Sequence, residues 1–203
     1  MANGRLSCLG SAQHLKSKFG QGFQVEMKLM LVSPLDEDYK TYAAMLTRAD
    51  STDAVDALSG EETFNKEEAL AALQALSGDD YLSNLVTVDN PIGYNVFKNA
   101  TSVVGVTLDE LAAFATSELR MRVLEKYVEE TFPQSVLRES QDSKTRYEIG
   151  AQGVRIYHIV ASIEENKERL QLADYGVSQT SLEQVFNMHA AEAEKLKEGR
   201  NDR

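Results

Sequence analysis

At 203 residues the chain is long enough for one or two domains with a sizeable core, and its 42% hydrophobic content is that of an ordinary globular sequence. No run approaches the roughly 18 apolar residues of a spanning helix, the first twenty residues hold no apolar signal-peptide core, and one cysteine excludes an internal disulfide. The net charge of −11 is concentrated between Asp36 and Glu118, where sixteen acidic side chains stand against four basic ones for a balance of −12. Such a segment repels a phosphate backbone, so nucleic acid is not an expected partner. The reducing compartment implied by lone Cys8, with the missing leader, leads to the expectation of a soluble, cytoplasmic piece.

Asn3-Gly4 is a two-residue hairpin dipeptide, because both central positions of such a turn need positive φ. Only the second strand follows it, Arg5 to Leu9, so the expectation is a chain cut from a larger protein just past the tip of a hairpin. Gly10-Ser11 offers a turn and an N-cap for a short helix over Ala12 to Phe19, with Gly20 at its C-terminal stop. Lys16 and Lys18 lie near the end of that helix, where its dipole favours cations. Gly20-Gln21-Gly22 precedes a strand rather than a helix and is expected to act as a hinge.

Residues 22–32 alternate apolar and polar from Phe23 to Leu29, which predicts a strand ended by Pro34. In the acidic segment, Tyr39, Tyr42, Met45 and Leu46 predict a helix after Asp36-Glu37-Asp38. Asn65 and Glu68 form a capping box for a second helix through Leu70, Leu73 and Leu76, stopped by Gly78. Asp89-Asn90-Pro91 marks a turn, and 92–106 shows no clear period. The plain reading of this acidic stretch is a solvated face.

From Thr107 the pattern sharpens. Thr107 and Glu110 form another capping box, and Leu108, Leu111, Ala115, Leu119, Val123 and Tyr127 trace a helical stripe that Pro133 terminates. Ser135–Glu139 and Thr145–Ile149 predict two strands joined by the polar 140–144. Ile156, Ile159, Val160 and Ile163 mark an amphipathic helix to Asn166, and Leu170 to Val177 a last strand. Thr180 and Glu183 cap a final helix carrying Leu182, Val185, Phe186, His189, Ala193 and Leu196, before a frayed tail at 198–203. With the mainly helical acidic insertion (35–106) and the C-terminal helix set aside, the predicted fold class is α+β: a ferredoxin-like βαββαβ core, a four-stranded antiparallel sheet with two helices on one face.

Catalytic constellations are missing. No phosphate-cradling glycine loop ending in Lys-Ser/Thr and no Gly-x-Ser-x-Gly elbow is present. Cys8 sits in a strand pattern without a base and reads as a buried structural thiol. His14, His158 and His189 are scattered, and the i, i+3 pair His189 and Glu192 lacks a second pair to complete a metal site. Tyr39, Tyr42 and Tyr81 read as partial core. No catalytic, cofactor-binding or metal-ligating residue is expected.

Two segments carry a specific pattern. Gly4, Arg5, Leu6, Cys8, Leu9, Gly10, Ser11, Gln13, His14, Leu15, Lys16, Phe19 and Gly20 stand in the order and spacing of the segment that closes a nucleotide-binding domain in subfamily A of the ABC transporters. Tyr175, Val177, Ser178, Gln179, Thr180, Leu182, Val185 and Phe186 resemble a motif near the end of that family's regulatory domain. The resemblance implies a C-terminal regulatory domain over 22–197, preceded at 1–21 by the tail of the second nucleotide-binding domain and a linker. It implies a large multi-pass membrane protein that moves lipid with ATP and Mg²⁺, whose ATP-binding motifs and switch histidine lie upstream; His14 belongs to a later helix. The implied partners are the transporter's own nucleotide-binding and regulatory domains on the cytoplasmic side of a membrane, with lipid reached only through the membrane domain. Lys16, Lys18 and the Gly20–Gly22 stretch are the candidates for the junction. Two departures stand out: the acidic insertion has no counterpart in the pattern, and Val185-Phe-Asn-Met-His-Ala190 replaces the family's Val-Phe-x-Asn-Phe-Ala.

Two function classes follow. The first is a non-catalytic regulatory domain that docks on its partner half and biases closing of the ATP-driven dimer. The second is a stand-alone ferredoxin-like sensor of small molecules, for which the sequence offers no concentrated polar pocket, or a stand-alone interaction module; a stand-alone enzyme is disfavoured by the missing constellations.

Overall fold

The structure, a computed structural model, describes residues 22–47, 62–141, 143–150 and 154–179. In chain order its elements are β1 (Gly22–Leu29), α1 (Glu37–Leu46), β2 (Thr63–Phe64), α2 (Lys66–Ser77), α3 (Tyr81–Leu85), α4 (Tyr94–Ala100), β3 (Val106–Thr107), α5 (Leu108–Thr131), β4 (Ser135–Gln141), β5 (Lys144–Gly150), α6 (Ile156–Asn166) and β6 (Leu172–Gln179). Mixed helix and sheet is therefore observed, with a four-stranded antiparallel sheet and six helices among the described residues. The described residues fall into two compact units, divided after residue 28 and again after residue 127. None of the described helices is long and apolar enough to cross a membrane.

The sheet has the order β4-β5-β1-β6. The period-2 pattern sets its register: Val25 lies opposite Tyr147 and Met27 opposite Thr145, and all four are buried. Each such apolar side chain contributes about 1.5–3 kcal/mol by leaving water. The intervening residues form a ladder of ion pairs. Glu26 bridges Lys144 at 2.9 Å and Arg146 at 2.8 Å, Arg146 reaches on to Glu139 at 3.0 Å, and Arg138 pairs with Glu148 at 2.7 Å. Lys144, first, and Arg146 hold the Glu26 carboxyl below its ordinary pKa.

Three expectations shift in this unit. β1 ends at Leu29, five residues short of Pro34, and Met30 and Leu31 are exposed. The β4–β5 strands extend to Gln141 and Lys144, so the connection is shorter than the predicted 140–144. β6 begins two residues late: Leu170 is buried but lies in the turn before the strand, where Gln171 adopts φ 51°. Gly22 is corrected more sharply. It is a sheet residue in register with Gly150, and an added Cβ would come within 2.9 Å of the Ile149 carbonyl oxygen, so close strand approach rather than hinging explains it.

The second unit is built from local signals. Asn65 Oδ1 accepts from the Glu68 N–H while Glu68 Oε2 accepts from the Asn65 N–H, and Thr107 with Glu110 repeats the arrangement at the start of α5. Gly78 closes α2 with φ 70°, a left-handed cap that only glycine adopts without strain. The helices enclose one apolar core in which Phe64, Leu73, Leu82, Leu108 and Leu111 are essentially fully buried. α3, α4 and the β2–β3 pair were not foreseen. α4 has no side-chain cap and is held by Val96 and Ala100, one turn apart and both buried. The predicted stripe on α5 drifts: Val123 is 46% exposed, and Met121 and Leu124 join the predicted Tyr127 on the buried face. On α6, Ile159 and Ile163 are buried while Ile156 and Val160 are exposed.

Candidate functional site

The middle of α5 concentrates the buried charge. Thr116, Glu118 and Arg120 are all buried on this helix, against the amphipathic rule that would put charges outside. Arg120 is satisfied by the stretch between β1 and α1. Its Nη2 donates to Asp36 Oδ2 at 2.7 Å and Asp38 Oδ1 at 2.6 Å, its Nε to Asp38 Oδ2 at 2.7 Å, and its Nη1 to the Met30 carbonyl at 3.4 Å. The Asp38 contact is a two-pronged fork, the geometry a guanidinium offers and an ammonium cannot. Asp36 also accepts from the Ser33 N–H, and the Arg120 contact, first, with that backbone bond, holds its carboxyl below the ordinary range. The acidic start of α1, read from the sequence as a solvated face, is thus partly spent on one buried arginine.

Two residues before it and two after, α5 presents Glu118 and Arg122, one turn apart from each other. Arg122 bonds Asp79, in the connection between α2 and α3, and its guanidinium lies 4.7 Å from the centroid of the Tyr81 ring. Glu118 is only 9% exposed. Burial, first, and then the Glu125 carboxylate push its pKa up to about 7. The Tyr81 hydroxyl is pushed up to about 12, by burial and then by Glu118 and Glu125. Tyr39, on the same unit, is buried and donates its hydroxyl to Asp109 at 3.0 Å. Among the described residues no three His, Cys, Asp or Glu side chains gather as a metal centre requires.

Of the residues singled out from the sequence, Gly4 to Gly20 lie outside the described residues, as do Cys8, His14, Lys16, Lys18 and, at the other end, Thr180, Leu182, Val185 and Phe186. Tyr175, Val177, Ser178 and Gln179 fall on β6, an edge strand of the sheet beside β1. Tyr175 donates its hydroxyl to Glu164 of α6, and the Lys167 ammonium lies 5.8 Å from its ring centroid. That hydrogen bond, first, raises the Tyr175 pKa. Val177 is half-buried, while Ser178 and Gln179 are exposed. His158 is exposed, and its ring lies tilted against that of Tyr157 with their centroids 4.0 Å apart. The sequence missed Glu118 and Arg120; two charges interrupting an apolar stripe two residues apart were the available signal.

The stretch from the second turn of α5 through β4, β5 and α6 to the end of β6, residues 112–179, matches the family described as the ABCA1-like C-terminal R1 regulatory domain. The chain is 23% identical over 186 residues, 92% of its length, to the phospholipid-transporting ATPase ABCA3 of Homo sapiens, of which it covers 6%. It is 30% identical over 100 residues, 44% of its length, to ATP-binding cassette sub-family A member 2 of Homo sapiens, of which it covers 4%. Against ATP-binding cassette sub-family A member 9 of Homo sapiens the identity is 53% over 36 residues, 18% of this chain and 2% of that protein. Residues 112–179 thus match the C-terminal regulatory domain of the ABC transporter subfamily A type.

The chain spans less than a tenth of the length of each of these relatives. Within the regulatory domain, the matched stretch holds Glu118, Arg120, Arg122 and the β6 residues Tyr175 to Gln179. The partners of Arg120 and Arg122, namely Asp36, Asp38, Asp79 and Tyr81, lie before it.

Proposed function

We propose that this regulatory domain works without catalysis of its own inside an ATP-driven lipid transporter of subfamily A, docking on that transporter's nucleotide-binding and regulatory domains and so biasing closure of the nucleotide-binding dimer. The observation that carries the reading is the family match over residues 112–179, which begins within a helix and ends with the last described strand. The phospholipid-transporting relative supports lipid as the cargo. ATP and Mg²⁺ act in the nucleotide-binding domains, and the regulatory domain sits on the cytoplasmic side. A ferredoxin-like core is part of the proposal, supported by the strand order β4-β5-β1-β6, in which the first and third strands of the βαββαβ series lie in the centre and the second and fourth at the edges.

Docking needs an available surface. β4 is an edge strand whose residues from Val136 to Gln141 are exposed on both faces, with Val136 47% and Leu137 45% exposed, and its register is broken between Leu137 and Glu139. Unpaired backbone and uncovered apolar side chains at an edge are the means by which sheets recruit a neighbour. The paired substitution Val136→Lys with Leu137→Lys places charge on that edge without touching the core. In the reconstituted transporter it is expected to change the ATPase rate severalfold while leaving the unfolding midpoint of the 203-residue chain in place. An unchanged ATPase rate counts against docking through β4.

A further inference from the structure

The turn that brings Asp36 to Arg120 also holds a serine that docking leaves unused. Ser33-Pro34 is the only Ser-Pro or Thr-Pro pair in the sequence. It stands between β1 and α1, in a stretch that is irregular over 30–33 and turns over 34–36. Leu31 and Leu35 on either side are 78% and 80% exposed, Pro34 is exposed, and Ser33 itself is partly exposed. The Ser33 Oγ accepts the Leu35 N–H at 3.3 Å and donates to no described residue, so its hydroxyl proton is uncommitted.

The same turn is linked to a buried cation. Asp36 Oδ2 accepts from the Ser33 N–H at 3.0 Å and from Arg120 Nη2 at 2.7 Å, so one oxygen stands between the Ser33 backbone and the guanidinium. A guanidinium offers five N–H donors. Asp36 Oδ2, the two Asp38 oxygens and the Met30 carbonyl take four of them, which leaves one Nη1 hydrogen without a partner among the described residues.

We propose that Ser33 is a phosphorylation site for a proline-directed serine/threonine kinase, and that a phosphate there competes with Asp36 for Arg120 and loosens the start of α1 from α5. In the transfer, the bond between the γ-phosphorus of ATP and its bridging oxygen breaks, a P–O bond to Ser33 Oγ forms, ADP leaves, and the hydroxyl proton passes to the kinase's base. The product carries about −1.5 to −2 charge at neutral pH and three acceptor oxygens. It adds a third anion to Asp36 and Asp38 around one guanidinium. Asp36 holds Arg120 by a single contact against the two-pronged grip of Asp38, so Asp36 is the one displaced. Ser33 lies before the matched regulatory stretch and Arg120 within it, so the phosphate acts from outside that stretch on one of its helices.

Incubating the intact 203-residue chain with ATP, Mg²⁺ and a proline-directed kinase tests this, with a synthetic peptide of residues 28–38 treated alongside. Mass spectrometry should find a phosphoryl group on Ser33 of the folded chain, lost in Ser33→Ala and in Pro34→Ala. Amide hydrogen exchange of the phosphorylated chain should show protection over 40–46 lowered about tenfold or more, the equivalent of one charge-assisted hydrogen bond, with β5 unchanged. Asp36→Asn, which removes the carboxylate to be displaced, should shrink that loss. A Ser33 left unmodified in the folded chain, whether or not the peptide is modified, overturns the site. Protection over 40–46 that stays level or rises on phosphorylation, an equal loss in β5, or the full loss in Asp36→Asn overturns the competition for Arg120. Should Asp36→Asn not fold, the phosphorylated wild-type chain decides by itself.

Discussion

Arg120 faces two carboxylates and a carbonyl from inside the protein, its side chain 5% exposed. Replacing it with alanine takes the guanidinium away from Asp36 and Asp38, and breaking such a buried pair costs about 3 kcal/mol; urea unfolding should show the midpoint fall accordingly. Arg120→Lys should recover only part of that, because an ammonium cannot fork onto Asp38. The signs of the carboxyl shifts set the pH profile. Glu26, Asp36 and Asp79 are all held below their ordinary values, so each adds stability that is present above about pH 4 and is lost as the solution turns more acid. Glu118 acts in the opposite sense: raised to about 7, it removes stability as pH climbs from about 4.5 to 7. Unfolding free energy should therefore peak near pH 5, and Glu118→Gln should restore about 2–3 kcal/mol at pH 8 and nothing at pH 4.

At the scale of elements, short-range chemistry explains what could be foreseen. The two capping boxes are written in four residues each, so Asn65 and Thr107 announce α2 and α5 from the sequence alone, and Asn65→Ala should lower stability by about 1 kcal/mol in a denaturant titration. Glycines separate local from tertiary constraint. Gly78 has open space around it and needs only its left-handed φ, so Gly78→Ala should cost about 1 kcal/mol. Gly93 has ordinary φ, but a Cβ there would stand 2.1 Å from the Leu85 carbonyl oxygen, so Gly93→Ala should cost several times more, about 3 kcal/mol, with the same measurement. That close approach has no signature in the sequence. Nor do α3 and α4, five and seven residues long, which own no capping side chain and persist because Leu82, Val96 and Ala100 are buried in the core. The alternation of β1 and β5 was legible because one face is apolar throughout. The Arg120 site was not, since its partners lie 82 and 84 residues away along the chain.

At the scale of the whole molecule, the chain's two units differ in charge. Residues 29–127 carry seventeen acidic and seven basic side chains, a balance of −10, which leaves −1 for the rest. The matched regulatory stretch, residues 112–179, takes in the near-neutral sheet elements, and the motif residues Tyr175 to Gln179 lie on its last strand. Regulation by docking is a coupling free energy between two equilibria, so it must appear symmetrically: if docking favours one nucleotide state, that state favours docking. The most direct test is equilibrium binding of the 203-residue chain to the purified nucleotide-binding domain of its transporter, with ATP and Mg²⁺ and then with ADP. Dissociation constants that differ about 5- to 150-fold between the two states are the predicted result, and equal constants, or ATP hydrolysis by the chain itself, would contradict it.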